Sequence, residues 1–287
     1  MVIKVLFKGF NFSQDGPGNR LVYHLQGCNM RCPWCSTPES MPEEGTLLVS
    51  ENPDERFCPF GAVKNGQVNR TQCAACSEKP CTKYAGSKLR MSYTEMDIDA
   101  VVDEIESSTP MFFDGGGVTF TGGEPTVQFD ALKELLTRLK RLGIHTALET
   151  NGSHIDLPKL FELIDWMIID CKHYDNSAHL SATGIGNETI LKNIAAAAKK
   201  RSQLLIRIPL INGFNASEKD AEKFATLFLS MDFNNCSFEL LRYHEYGKDK
   251  WAQCGMKYTV QNAVVSDEAF AKFKNVFLKN KLQLIRT

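Results

Sequence analysis

Cys28, Cys32 and Cys35 stand in the run Gly27-Cys28-Asn29-Met30-Arg31-Cys32-Pro33-Trp34-Cys35. A Cys-x3-Cys-x2-Cys spacing can hold an iron-sulfur cube by three of its four irons, leaving the fourth open to a ligand, whereas an electron-transfer cluster is closed by four cysteines. At ten cysteines in 287 residues, chance alone gives this spacing about once in a hundred such chains. Zinc is the rival, but it takes four ligands, usually in Cys pairs or with His, and no fourth partner lies near Cys35. The reading is an open cluster, and an open iron does chemistry.

A second group, Cys58, Cys73, Cys76 and Cys81, lies in a polar stretch over 46–90 that is rich in Asn, Gly, Gln, Lys and Pro. Cys73-x2-Cys76-x4-Cys81, with Pro80 before its last cysteine, resembles half of a bacterial ferredoxin run but departs from its spacing. So polar a segment buries too little apolar surface to order itself, so a metal centre is expected to supply its folding free energy. An auxiliary [4Fe-4S] cluster and structural zinc both fit four thiols. Cys171 and Cys236 sit in or beside apolar strands and read as core; Cys254 has no assignment.

These loops need a scaffold. Residues 21–25 read as a buried strand that feeds the three-cysteine loop. Thr94 reads as an N-cap, with Asp97 three residues on, for a helix carrying Ile98, Val101, Val102 and Ile105. Strands at 117–121, 145–149, 166–171, 204–209 and 237–241 then alternate with helices, one showing Phe129, Leu132, Leu135, Leu136 and Leu139, one ending over 195–200, and one at 218–229. Six parallel strands are too few for a closed eight-stranded barrel, so the expected fold is α/β, an open, partial (β/α)6 barrel with its functional loops at the strand C-termini. Residues 1–45 and 91–287 form the barrel and 46–90 a small ferredoxin-like insertion; a helix at 267–279, capped by Ser266, and residues 282–285 close the fold.

Polar motifs recur where such a barrel gathers them. Thr121-Gly122-Gly123-Glu124-Pro125 follows one strand, Glu149-Thr150-Asn151-Gly152 the next, and Asp170-Cys171-Lys172-His173 the one after. Two glycines let the backbone approach a ligand, and Asp170 and Lys172 can hold the ammonium and carboxylate of an amino acid or pair with each other. His244 lies at the same mouth; His24 reads as a core residue, and His145, His154 and His179 show no partner pattern.

With 43% apolar residues, 23% charged residues and a net charge of -1, the chain reads as globular, with no basic field for nucleic acid. No 18-residue apolar span and no signal-like start appear, so neither membrane insertion nor export is expected. Ten cysteines then suggest thiolate ligands in a reducing, cytoplasmic compartment.

Taken in order, Asp15-Gly16-Pro17-Gly18-Asn19-Arg20, the cysteine loop, Gly122-Gly123-Glu124-Pro125, Asp170-x-Lys172, Arg207-Ile208-Pro209-Leu210-Ile211-Asn212-Gly213 and the His244 segment resemble the radical S-adenosylmethionine (SAM) enzymes. Within them the chain resembles the glycyl-radical-enzyme activating enzymes, such as pyruvate formate-lyase activating enzyme, and is most similar to the YjjW-type activases. The resemblance implies that Cys28, Cys32 and Cys35 hold a [4Fe-4S] cluster whose open iron chelates S-adenosylmethionine. It also implies that Trp34 and Ser36 border the adenosine, that Gly122, Gly123 and Glu124 meet the methionine amine, and that Thr150, Asp170, Lys172 and His244 lie beside the cofactor. Glu149, Thr150, Ile168 and Asp170 correspond to a monovalent-cation site, with Glu149 where an aspartate is expected. One-electron reduction would cleave the cofactor to a 5'-deoxyadenosyl radical, which takes a Cα hydrogen from a glycine of a partner glycyl radical enzyme, with a flavodoxin- or ferredoxin-type protein as electron donor. Relatives with an insertion often carry eight cysteines there; four here imply one auxiliary cluster. Two other readings stand beside this one: a radical SAM enzyme acting on a small metabolite, and a zinc-stabilised binding protein.

Overall fold

The structure is a computed structural model and describes residues 1–12, 14–200, 203–231 and 236–286. It opens with strands β1 (Val2–Phe12) and β2 (Asn19–Leu25), which lead into the cysteine loop. The next stretch carries β3 (Leu47–Val49), β4 (Val63–Lys64), β5 (Gln67–Val68), the short helix α1 (Arg70–Ala74) and β6 (Leu89–Met91). Then come β7 (Thr94–Asp97), α2 (Ile98–Ser107), β8 (Gly117–Gly122), α3 (Phe129–Arg141), β9 (Thr146–Thr150) and β10 (Trp166–Asp170). The chain continues through α4 (Asn176–Thr183), α5 (Glu188–Lys200), β11 (Leu204–Leu210), α6 (Glu218–Leu229), β12 (Cys236–Arg242), α7 (Lys248–Gln253) and α8 (Asp267–Lys279).

One eight-stranded sheet runs β12-β11-β10-β9-β8-β2-β1-β7, with β12 and β7 as its edges, so it does not close on itself. The six strands from β2 to β12 pair in parallel, as the alternation predicts. Strand β1, absent from the sequence reading, runs antiparallel to both β2 and β7. That pairing also corrects the start of α2. Thr94 is paired with Val5 inside β7, and Asp97 is the cap, its carboxylate accepting from the Asp99 N–H at 2.9 Å. The local capping signal at Thr94 loses to a long-range ladder.

Helices cover one face of the sheet. Leu132, Leu135, Leu136 and Leu139 of α3, spaced to share one helix face, are wholly buried with Met167 and Ile169 of β10 and Ile206 and Ile208 of β11. Side chains alternate along a strand, so Ile168, Asp170, Leu205 and Arg207 turn to the opposite, inner face. Helix α8 is capped by Ser266, as predicted, and Phe273 and Phe277 join Phe224 and Phe228 of α6 in an aromatic cluster, Phe224 and Phe273 lying 6.1 Å apart. Leu284 adds a parallel bridge to Phe238. Among the described residues no helix is long and apolar enough to cross a membrane.

In 46–90, β3 and β6 pair antiparallel, Leu47 opposite Met91 and Val49 opposite Leu89, so the stretch leaves and rejoins the barrel side by side. Asn65 and Gly66, both at positive φ, join β4 to β5 in a tight hairpin. A satellite core of Leu47, Ala62, Val63, Cys73, Cys81 and Leu89 lies here, with Cys58 packed against it.

Candidate cluster and cofactor site

A cavity of ≈ 380 Å³ opens at the C-terminal ends of the parallel strands, where open α/β sheets place ligands. Cys28, Cys32 and Cys35 line it together with Trp34, Ser36, Gly122, Gly123, Glu149, Thr150, Asp170, Lys172 and His244. The sequence reading thus scattered these residues over five loops, and the fold gathers them into one space.

The cysteine loop is fixed by its backbone. The Gly27 N–H donates to the Ser40 carbonyl at 2.9 Å, that of Cys28 to Met41 at 3.2 Å, and that of Cys35 to Cys32 at 3.1 Å. Two N–H groups aim at sulfur, Met30 at Cys28 Sγ and Thr37 at Cys35 Sγ, each at 3.4 Å, which favours thiolate ligands. Burial nonetheless pushes the Cys28 and Cys32 thiols up to about 12 and raises Cys35. Three thiols that keep their protons in an apolar loop become ligands only when a metal displaces those protons. The donor set fits an iron-sulfur cube.

Gly122 and Gly123 serve a purpose the sequence reading did not assign. Gly122 sits at φ 123°, and a Cβ there would collide with the backbone of Leu25; a Cβ on Gly123 would collide with the Gly27 carbonyl. The Gly123 N–H donates to Leu25 at 2.9 Å and the Glu124 N–H to Gly27 at 2.7 Å. The glycines let β8 lie directly on the root of the cysteine loop, and their edges also face the cavity.

Glu124 is placed elsewhere: it does not line the cavity, and it is 1% exposed. Oε1 accepts from the Thr126 N–H at 3.0 Å and from the hydroxyls of Thr126 and Thr150, while Oε2 accepts from the Asn151 N–H at 2.6 Å. Asn151 in turn donates to Asn29 at 2.9 Å, inside the cysteine loop. Glu124 therefore ties the ends of β8 and β9 to that loop. Glu124→Gln turns an N–H pair against one of these donors and is expected to cost about 1–3 kcal/mol, read as a lowered denaturation midpoint.

Asp170 and Lys172 pair at 2.5 Å. Burial works against the Lys172 charge, but Asp170 and then Cys32 outweigh it and raise its pKa. Lys172 is therefore a fixed cation near the cysteine thiols. His244 is exposed, stacked on Tyr246 at 4.3 Å. Trp34 packs on Phe214 at 4.8 Å, and Trp251 Nε1 donates to the Cys35 carbonyl at 2.9 Å.

The cavity also takes in residues that the sequence reading passed over or set in the core. His24 faces it from β2, stacked on Phe7 at 3.8 Å, and burial pushes its pKa down to about 4, so the imidazole is neutral. Asp15 lines it too, its carboxyl raised by burial and then by Glu149. Their only sequence signals are the inward parity of His24 on an apolar strand and the place of Asp15 at the head of the Asp15–Arg20 motif.

Residues 22–225 match the family pattern of the radical SAM superfamily. The chain belongs to that superfamily. Family membership brings a [4Fe-4S] cluster and S-adenosylmethionine as cofactors. The chain is 33% identical to a 4-hydroxyphenylacetate decarboxylase activating enzyme of Clostridioides difficile (strain CD196), over 96% of this chain and 93% of that one. It is 34% identical to a (2S)-3-sulfopropanediol sulfolyase activating enzyme of Bilophila wadsworthia, over 96% of each. A radical SAM methyltransferase from Sphaerobacter thermophilus shares its fold with a TM-score of 0.56 at 13% identity, covering 96% of this chain and 67% of that one. Within the superfamily this radical SAM chain is an enzyme of the glycyl-radical-enzyme activating type.

Proposed function

We propose that the barrel mouth binds S-adenosylmethionine on a cluster held by Cys28, Cys32 and Cys35, and that the open side of the sheet receives a glycine loop of one partner glycyl radical enzyme. The observation that carries this reading is that the three cysteines, the Gly122-Gly123 edge and the Asp170–Lys172 pair line one cavity. When bound, cluster and cofactor together supply a carbon-centred radical able to take the Cα hydrogen of glycine.

The chain's own residues bind and orient. The Gly122 and Gly123 edge offers carbonyls to the methionine amine, while Lys172, fixed by Asp170, offers its charge to a carboxylate. Trp34, buttressed by Phe214, and Ser36 border the adenosine, with His244 at the rim. The Glu124 bonds hold the β8 and β9 ends in place beneath them. Glycine has no side chain, so its loop must be held by backbone contacts, and the neutral His24 and the Asp15 carboxylate face the cavity to make them. Cys58, Cys73, Cys76 and Cys81 hold one auxiliary [4Fe-4S] cluster in the insertion at 46–90. A flavodoxin- or ferredoxin-type protein supplies the electron, in a reducing cytoplasm.

The test mixes the reduced holoenzyme and S-adenosylmethionine with a panel of purified glycyl radical enzymes, 4-hydroxyphenylacetate decarboxylase and (2S)-3-sulfopropanediol sulfolyase among them. A doublet radical signal on one panel member is expected. Steady 5'-deoxyadenosine release with a small metabolite, and no radical on any protein, would replace the activating role.

A further inference from the structure

The four residues that correspond to a monovalent-cation site do not fit an ion. Glu149 Oε1 accepts from Arg207 Nη1 at 2.6 Å and Oε2 from the Thr121 hydroxyl at 3.0 Å. The Asp170 carboxylate is paired with Lys172. The Thr150 hydroxyl is turned to Glu124 at 2.6 Å, and Ile168 is wholly buried in the parallel ladder between Glu149 and Leu205. Both carboxylates of the set are already met by cations of the chain.

Arg207 is built for that position. Its side chain is 6% exposed, its Nε donates to Glu239 at 2.8 Å, and its Nη2 donates to the Gln14 carbonyl. Glu149 and Arg207 stand on β9 and β11, either side of β10. Two strand spacings separate them by roughly 10 Å, and two long side chains close the gap. An aspartate in place of Glu149 would fall one methylene short. Burial opposes both charges, yet Glu149 and Glu239 raise the Arg207 pKa, and Arg207 holds the Glu149 carboxyl below its ordinary range.

We propose that the Arg207 guanidinium is a built-in counter-charge for this cavity, so that S-adenosylmethionine binds and is cleaved here without an added monovalent cation. Glu149 lines the cavity, and left bare it would repel the cofactor's carboxylate. Arg207, shared between Glu149 and Glu239, offsets part of that charge by pairing with Glu149 and is therefore a positioning residue. The inference rests on the cofactor reading of the site given above.

The test measures 5'-deoxyadenosine formed by the reduced holoenzyme without any partner, in tetramethylammonium salt and in potassium or sodium salt of equal ionic strength. Wild-type rates are expected to agree within about twofold, and Arg207→Met is expected to lose at least about tenfold in tetramethylammonium and to recover several-fold with potassium or guanidinium. Arg207→Lys, which keeps the charge, is expected to stay indifferent to the cation. Wild-type cleavage that needs potassium or sodium, or an Arg207→Met enzyme that no cation restores, overturns the proposal. Melting of the wild-type chain without S-adenosylmethionine gives a second reading, valid even if the cofactor reading failed: the same midpoint in all three salts supports the assignment, and a higher one in potassium or sodium refutes it.

Discussion

Cys32→Ala is expected to bring S-adenosylmethionine cleavage below detection while leaving the barrel folded. Three thiolates are the least that can hold a cube and keep its fourth iron open, and Cys32 is one of the three cysteines that, among the described residues, line the cavity. Loss of one buried sulfur costs the fold about 1 kcal/mol, so the melting midpoint should fall by a few degrees at most. Cys171→Ala is the control: it is as deeply buried but belongs to the core behind β10, and it should keep its iron and its turnover. Because burial holds the Cys28 and Cys32 thiols near 12, cluster assembly releases protons. Reconstitution should therefore be more complete at about pH 8 than at about pH 6. Retained cleavage in the Cys32 variant would remove it from the ligand set.

The barrel was legible because its helices and strands carry their own signals. Ser217 forms a capping box with Asp220 at the start of α6, Ser266 caps α8, and the leucines of α3 repeat at helical spacing. Strand β1 was not legible: Lys4 and Lys8 interrupt its apolar run, and what orders it is pairing with β2 on one side and, on the other, with β7, some ninety residues on. The cysteine loop was legible for the opposite reason, since its three cysteines lie within eight residues. The Glu149–Arg207–Glu239 group could not be read in this way. It joins β9, β11 and β12, and no local pattern says that an acid on one strand will meet a base two strands away. Glu124 shows a third case, a motif found but its direction hidden. Next to two glycines it reads as a ligand contact, yet four donors from three strand-end residues turn it inward.

Metal analysis of the anaerobically prepared protein is expected to give about eight irons and eight sulfides per chain, and Cys73→Ser or Cys76→Ser to give about four of each. The insertion is the reason for a large structural effect as well. Two of the six residues in its buried cluster are cysteines, Cys73 and Cys81, and of the seven non-glycine residues at positive φ among the described residues four lie here, Asn52, Asn65, Lys79 and Lys88. Its path is set by turns, and its small core offsets little of the roughly 1–2 kcal/mol per residue that ordering a backbone costs. The thiols are near enough to act on one another: Cys76 and Cys58 raise Cys73, and Cys58, Cys73 and Cys76 raise Cys81, in each case after burial. Among the described residues no three His, Cys, Asp or Glu side chains converge on a point that would hold one ion. A cube takes one thiolate per iron, whereas zinc draws four ligands to about 2.0–2.3 Å of a single centre, and the iron count separates the two. Stripped of its metal, the stretch from Thr46 to Arg90 should become the first site of proteolysis while the barrel resists. Arg70 is the place where that change would be felt by the barrel, since it joins the Leu47 carbonyl at 3.0 Å to the Gln253 carbonyl at 2.7 Å beside α7, the helix whose Trp251 holds Cys35. Four irons with one zinc would make the insertion a structural zinc module, and zinc alone would exclude radical chemistry for the chain.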